Sequence, residues 1–337
     1  MGRNKLKGQQ ITNDNIHKHR KAVLKNGRKF KIPVQYLQHR VIINTILIGL
    51  GVLIAISGVS YWQLYHMHNT GDVLYGITRI FPLPVAKIDG HQVLFSDYLA
   101  LYRSSIAVVE RQEGEIRNNA DNAERLMRFR RMAMDTALEN GFAMGLAREM
   151  GISVSREEID EHLVWHRSNT GTEVSEASFA KIVRDNYNLS MAEYRRLFIE
   201  LPLIRSRVAV QVDVMASITL DEIKAKLGTG KTLQEIAEEM GDKVIFEDSG
   251  GEVSVLNLDG GRALRASEME VGQASEPFLS RSSDEFFIVK TTTSNDGRVS
   301  YESLKIPLTT FRDRFRQIKD EGRYEEFIKI DYFDNSN

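Results

Sequence analysis

An unbroken apolar stretch, Val41–Trp62, constrains the fold of this chain more than any other feature of its sequence. It contains no charged residue, and as a helix its 22 residues would cross the hydrocarbon core of a bilayer, which is about 30 Å thick. The aromatic residues Tyr61, Trp62 and Tyr65 are typical of a membrane interface. A cleaved secretory signal is the alternative, but its apolar core would have about 7–15 residues and lie nearer the N-terminus. The sequence therefore predicts an uncleaved transmembrane helix at residues 41–62.

The charges on the two sides of this stretch predict its orientation. Residues 1–40 carry eleven Lys/Arg and one acidic residue, Asp14, whereas the rest of the chain carries 34 Lys/Arg and 45 Asp/Glu. Because basic flanks stay in the cytoplasm, we expect a single-pass protein of the cytoplasmic membrane with its N-terminus inside and its C-terminal domains outside. The basic tail predicts contact with anionic lipid head groups. It has no motif beyond its charge, so no nucleic-acid partner is expected.

The exported part must fold without covalent help, because the chain has no cysteine. Its roughly 270 residues are enough for two domains with cores of their own. The predicted organisation is a basic cytoplasmic tail at 1–40, the transmembrane helix at 41–62, a spacer at 63–83, a helical domain at 84–207 and an α+β domain at 208–335.

Helical signals dominate the region before residue 207. A hairpin around Asp89-Gly90 comes first, since Asp-Gly is a strong signal for a tight turn. A long helix follows at about 121–150, in which Gly141 and Gly145 are unusual and indicate close helix packing. Further helix starts are predicted by four capping boxes, namely Ser155–Glu158, Ser190–Glu193, Thr219–Glu222 and Thr232–Glu235.

Strand signals appear after residue 207. Valines alternate with other residues through Val208–Val214, which predicts a strand. Further strands are predicted at 244–246, 253–258, 286–290, 299–308 and 324–332. A helix at 309–321 lies between the last two, and we expect it to pack back on the helical domain.

Both halves resemble known exported foldases. Residues 85–102 (VAKIDGHQVLFSDYLALY), 151–163 (GISVSREEIDEHL) and 179–208 match in type and order the hairpin, a helix start and the final helix of the chaperone domain of SurA/PrsA-like foldases. Residues 228–241 (GTGKTLQEIAEEMG), 249–259 (SGGEVSVLNLD) and 271–290 (VGQASEPFLSRSSDEFFIVK) resemble parts of a parvulin-type peptidyl-prolyl isomerase domain. The resemblance implies a single transmembrane helix, an α-helical chaperone domain and an α+β parvulin-like domain.

The same resemblance implies that the isomerase site is degenerate. Parvulin-type sites usually carry one histidine on the first strand and another on the last, and these positions fall on Gln211 and Phe287. Asp213 is the one residue that resembles the acid of the site, and no histidine follows His166. We therefore expect a peptidyl-prolyl isomerase fold with weak activity or none.

The predicted function is that of a membrane-anchored chaperone that binds newly translocated, unfolded polypeptides. Flexible methionines and aromatic rings suit such binding. The candidates for client contact are Tyr98, Tyr102, Met132, Met144, Trp165 and Tyr194. Two alternatives stay open: an active parvulin-type isomerase, and a cell-envelope scaffold without chaperone function.

No metal or cofactor is predicted. Glu158, His162 and His166 share one helix face at a spacing that zinc accepts, but most such faces are simply hydrated. A basic cluster on the long helix is interpreted as a solvated face with ion pairs rather than a grip for acidic clients. Its members are Arg125, Arg128, Arg130 and Arg131.

Overall fold

A computed structural model describes residues 13–117, 120–168, 174–257, 259–280 and 285–330, without the side chains of 27–39 and 120. It divides into two compact units, residues 1–68 and 69–337. Residues 1–12 of the predicted basic tail and the end of the last predicted strand, 331–332, lie outside the described residues.

The described part of the first unit consists mainly of one long helix, α1 (Asn13–Tyr65). Its segment Arg40–Tyr65 is long and apolar enough to cross a membrane, and none of its most apolar window is buried. The helix predicted at 41–62 therefore exists and begins well before the apolar stretch. It is compatible with a membrane anchor or a signal sequence.

The second unit contains the other described helices. They are α2 (Asp72–Ile80), α3 (Phe95–Glu113), α4 (Ala123–Met150), α5 (Arg156–Ser168), α6 (Glu176–Tyr187), α7 (Met191–Arg195), α8 (Leu201–Val212), α9 (Val214–Gly228), α10 (Leu233–Met240), α11 (Arg262–Ser267) and α12 (Thr310–Asp320). Helix α4 packs against α3 and α8. A π-helical turn, Arg196–Glu200, joins α7 to α8. Two short 3₁₀ turns, Ala120–Asn122 and Gly241–Lys243, precede α4 and follow α10. The segment predicted as a spacer, 63–83, thus contains a helix, α2.

The predicted hairpin is confirmed, and the end of the described chain extends it. Strands β1 (Pro84–Ile88) and β2 (His91–Leu94) pair antiparallel, and Asp89 and Gly90 both have positive φ, as a tight hairpin turn requires. Strand β8 (Tyr324–Glu326) pairs with the other edge of β1. The resulting three-stranded sheet joins segments that are more than 200 residues apart.

Two glycines of α4 allow this hairpin to pack closely on the helix. A Cβ atom at Gly141 would lie 2.7 Å from Cγ2 of Val93, and one at Gly145 would lie 2.1 Å from the ring of His91. Real Cβ atoms do not approach other atoms so closely. The close packing predicted from Gly141 and Gly145 is therefore confirmed.

A second antiparallel sheet lies in the C-terminal half. Its strands are β3 (Ile245–Asp248), β4 (Val253–Ser254), β5 (Phe278–Leu279), β6 (Glu285–Asn295) and β7 (Arg298–Pro307). The order is β3-β7-β6-β5, and β4 also pairs with β7. Helix α11 covers this sheet, and Ala263 and Ala266 pack with Phe287, Val289 and Tyr301 in a small core.

The strand predicted at Val208–Val214 is wrong. These residues finish α8 and begin α9, and Val208 and Ala209 are buried. Alternating valines fit a buried helix as well as a strand, and here the packing of α8 against α4 decides. The capping box predicted at Thr219–Glu222 is also wrong, because both residues lie inside α9. The other three boxes are confirmed by reciprocal hydrogen bonds.

Helix α12 packs back on the helices, as predicted for 309–321. The rings of Phe142 on α4 and Phe311 on α12 stack with centroids 5.5 Å apart. Arg131 on α4 donates two hydrogen bonds to Glu326 on β8, at 2.9 and 2.7 Å. Residues from Thr310 to Glu326 are therefore held by the helical part of the chain.

Candidate functional site

A pocket of about 490 Å³ opens between α2, the start of α3 and α7. Its aliphatic lining comes from three separate segments of the chain. These residues are Ile80, Pro82, Leu94, Ala100, Ala192 and Leu197. We call this pocket the α2–α7 groove.

Two charged pairs line the groove. Arg196 donates from Nε and Nη2 to the two carboxylate oxygens of Asp97, both at 2.9 Å. The hydrogen bonds to Asp97 raise the pKa of Arg196 above its ordinary value, against the effect of burial. Arg79 lies 3.3 Å from Glu193. The charges of the groove therefore compensate each other within its own wall.

Glu193 connects the two sides of the groove. It caps α7 through the amide of Ser190 at 2.7 Å and accepts a hydrogen bond from the hydroxyl of Tyr75 on α2. Burial would raise the pKa of Glu193, but the hydrogen bonds from Ser190 and Tyr75 and the charge of Arg79 outweigh it and hold the pKa below its ordinary value. The glutamate therefore stays ionised and ties α2 to α7.

A π-helical turn places Arg196 and Leu197 in the groove. The N–H of Leu201 donates to the carbonyl of Arg196, five residues earlier. Pro202 follows, and its ring would clash with the carbonyl of Phe198 in a regular α-helix. The wider turn relieves this clash while the chain continues as α8, and such turns are frequent at functional sites.

This arrangement suits binding rather than bond-making chemistry. Arg79 and Glu193, and Arg196 and Asp97, are already paired with each other, which leaves them poorly placed as acid or base. The apolar wall offers a surface for an aliphatic or aromatic side chain. The groove can therefore hold an apolar segment of a polypeptide.

Half of the predicted client-binding residues lie in the core. Tyr98, Tyr102 and Tyr194 are only 3, 4 and 7 % exposed, so none of these three side chains is accessible to a client in the described structure. Their rings pack against other aromatic rings, since an α-helical body of this size needs large side chains in its interior. Burial raises the pKa of Tyr194 to about 12.

The other three predicted client-binding residues lie nearer the surface. Met132 is 63 % exposed on α4, whereas Met144 and Trp165 are half-buried. None of the six predicted residues lines the α2–α7 groove. The sequence analysis assigns residues 63–83 to a spacer and therefore misses the groove, although Leu74, Tyr75 and Thr78 have helical spacing.

The predicted isomerase positions do not form one site. Gln211 lies in the last turn of α8, and Phe287 is buried on β6 beside Phe278 and under Arg262. Asp213 is not on a strand but between α8 and α9, where its carboxylate accepts backbone hydrogen bonds. A second pocket, also about 490 Å³, brings Gln211 beside Phe286 rather than Phe287.

The predicted hydrated face of α5 is largely engaged in protein contacts. Glu158 pairs with Arg207 and accepts the amide of Ser155 at 2.9 Å. His166 Nδ1 lies 2.9 Å from the hydroxyl of Tyr194. Among the described residues no group of three or more histidines and carboxylates is arranged to hold a metal.

The basic cluster on α4 is also paired. Arg125 and Arg128 form ion pairs with Glu113 and Glu124. Arg131 pairs with Asp135 and Glu326. The guanidinium of Arg130 lies over the ring of Tyr102, 5.5 Å from its centroid. Three of the four therefore form ion pairs, but the interpretation as a solvated face holds only for Arg125 and Arg128, because the side chain of Arg131 is only 12 % exposed.

The fold and the groove define a helical region with a partly apolar pocket, preceded in the chain by an apolar helix of membrane-spanning length. Residues 35–200 match the family model of the SurA-like N-terminal domain, so this part of the chain is similar to that family. The match supports a SurA/PrsA-like foldase, as the resemblance predicted, and implies binding of unfolded polypeptides. No curated protein and no solved structure gave a significant match to the chain.

Proposed function

We propose that this protein is a single-pass membrane chaperone that holds newly translocated polypeptides on the outer side of the cytoplasmic membrane. The observation that carries the proposal is the match to the SurA-like N-terminal domain over residues 35–200. The matched range covers both the apolar segment Arg40–Tyr65 and the helical body up to α7. The basic flank supports an N-terminus in the cytoplasm and contact with anionic head groups.

The α2–α7 groove is the client site in this proposal. Its apolar wall would exclude water from a client side chain, which contributes about 25 cal/mol for each Å² of apolar surface buried. Arg79 pairs with Glu193 and Arg196 with Asp97, so these charged side chains already have partners when no client is bound. Such a surface favours many apolar segments moderately rather than one sequence strongly.

The part of the chain from β3 to β7 is, in this proposal, a parvulin-like fold without the usual site. No histidine follows His166, so the expected site histidines are absent from the sequence. Asp213 is engaged as a helix cap, which leaves it poorly placed as an acid. This part would support holding rather than accelerate prolyl isomerisation.

The test is an aggregation assay with the full chain in lipid nanodiscs and a chemically unfolded client. Ala192→Trp fills the groove from the second position of α7, whereas Ala177→Trp makes the same change at the second position of α6. We expect the first variant to lose most of the suppression of aggregation and the second to keep it.

Equal suppression by both variants would remove the groove from the proposal. A full chain that suppresses no aggregation but retains one stoichiometric partner in pull-downs would favour the scaffold alternative. A second assay measures how fast the full chain isomerises an X-Pro peptide. A cis–trans exchange rate well above the rate in buffer alone would contradict the non-catalytic role of the β3–β7 part.

A further inference from the structure

Helix α2 is apolar on both of its faces. Leu74, Tyr75 and Thr78 are buried against the rest of the second unit. On the opposite face Val73 and Ile80 are 78 and 75 % exposed, and Ile77 lies between them at helical spacing. One apolar face is enough to pack a helix on its own domain, and contiguous exposed apolar residues usually mark a site of contact with a protein or a membrane. The exposed face therefore indicates a partner.

The buried face of α2 is fixed, so the exposed face cannot turn inward. The hydroxyl of Tyr75 donates to Glu193, and the guanidinium of Arg103 lies over the Tyr75 ring, 4.8 Å from its centroid. Arg103 also donates to the carbonyl of Thr70, just before the helix, at 2.7 Å. Phe81 follows the helix and is exposed. We call Val73, Ile77, Ile80 and Phe81 the outer face of α2.

The covalent connection identifies the partner. Only residues 66–71 separate Tyr65, the last residue of α1, from Asp72, the first of α2. A fully extended segment of this length spans about 25 Å between Tyr65 and Asp72. Tyr61, Trp62 and Tyr65 mark the end of the apolar segment with the residue types of a membrane interface. A chain anchored by α1 therefore keeps α2 near the outer leaflet at all times.

We propose that the outer face of α2 lies on the lipid surface of the outer leaflet. Val, Ile and Phe side chains of a short amphipathic helix insert into the boundary between head groups and acyl chains. A second copy of the chain or a client could also cover an apolar face, but neither is held near it by the chain itself. The inference rests on the proposed anchor. It deepens the proposed function, because Ile80 also lines the α2–α7 groove and would bring the groove to the membrane surface.

The test uses the absence of cysteine from the chain. Single-cysteine variants of the full chain carry a polarity-sensitive dye and are reconstituted in vesicles of phosphatidylcholine with a quarter phosphatidylglycerol, some with a spin label near the head group. Val73→Cys reports on the outer face, Ile48→Cys on the apolar segment and Met132→Cys on an exposed methionine of α4. We expect the Val73 dye to be quenched by the shallow spin label several-fold more strongly than the Met132 dye.

The three positions separate the possible failures. If the Ile48 dye responds to lipid and the Val73 dye behaves like the Met132 dye, α2 does not lie on the membrane while the anchor stands. If the Ile48 dye also ignores lipid, the anchor fails and the inference fails with it. A Val73 signal that changes only with added unfolded client, or only with the protein-to-lipid ratio, would assign the face to a client or a second copy instead.

A charge on the outer face provides an independent readout. Val73→Asp leaves the buried face of α2 unchanged, since Val73 points away from it. With the dye placed at Ile80→Cys, we expect this substitution to abolish most of the shallow quenching. Met132→Asp, an equally exposed position on α4, should leave that quenching unchanged. Equal quenching in the Val73→Asp variant would overturn the inference.

Discussion

The carboxylate of Asp213 accepts the backbone amide of Thr310 at 3.1 Å, across 97 positions of the sequence. The same oxygen accepts the amide of Thr309 at 2.9 Å, and the other oxygen accepts the amide of Ala216 at 3.0 Å. One buried side chain therefore caps the starts of both α9 and α12. This residue joins the helical part to the returning C-terminal segment.

Replacement of Asp213 should destabilise the protein strongly. We expect Asp213→Ala to lower the free energy of unfolding by about 2 kcal/mol or more, because it leaves three buried or half-buried amides without their acceptor. Asp221→Ala, an exposed aspartate on the same helix, should change it by less than about 0.5 kcal/mol. Urea unfolding of both variants in the same detergent measures the difference. Equal midpoints would contradict the double cap.

The stacked pair Phe142 and Phe311 predicts that α12 is needed for a closed core. We expect Phe311→Ala to cost about 3–5 kcal/mol, because this ring is almost fully buried. Phe315→Ala, a less buried ring on the same helix, should cost less. A truncation after Leu308 should raise binding of a hydrophobic dye and lower the melting temperature. Unchanged dye binding and melting would show that α12 does not cover the helices.

Local signals made much of the fold predictable. The apolar stretch, the Asp89-Gly90 turn and three capping boxes depend on residues within a few positions of each other. The prediction of a strand at Val208–Val214 failed because alternating valines are compatible with a strand and with a buried helix. The packing of α8 against α4 selects the helix, and a short window of sequence does not show that packing.

Long-range contacts set the limits of prediction for the site. The pairing of β8 with β1 joins residues 324–326 to 86–88. The groove combines Tyr75 on α2 with Glu193 on α7, 118 positions apart. Periodicity does not show which of two apolar faces will be covered, so the sequence could not separate tyrosines of the core from tyrosines that contact a client. The choice between core and surface depends on the final packing.

The glycines of α4 predict a position-specific effect. We expect Gly141→Ala to destabilise the protein by about 1–3 kcal/mol, because the new methyl group would overlap the buried Val93 on β2. Gly76→Ala on α2 meets no atom within 4 Å and should be neutral or stabilising by up to about 1 kcal/mol, as alanine favours a helix. Thermal melting of the two variants compares them. A stabilised Gly141→Ala variant would contradict the close contact.

The half-buried His166 predicts a pH dependence of stability. Burial lowers the pKa of His166, and the nearby His162 lowers it further, so the neutral ring is the native form. In the unfolded chain the pKa of His166 is about 6.5. Between the lowered native pKa and this value, the unfolded chain binds more protons than the native protein. The free energy of unfolding therefore rises with pH through this window, and this contribution is lost as the pH falls below about 6.5. We expect His166→Gln to flatten the rise of the urea midpoint between pH 5 and 7. Tyr194→Phe removes the hydroxyl 2.9 Å from His166 Nδ1 but leaves the ring buried, so it should keep the rise. A steeper dependence in His166→Gln would mean that another group titrates in this window.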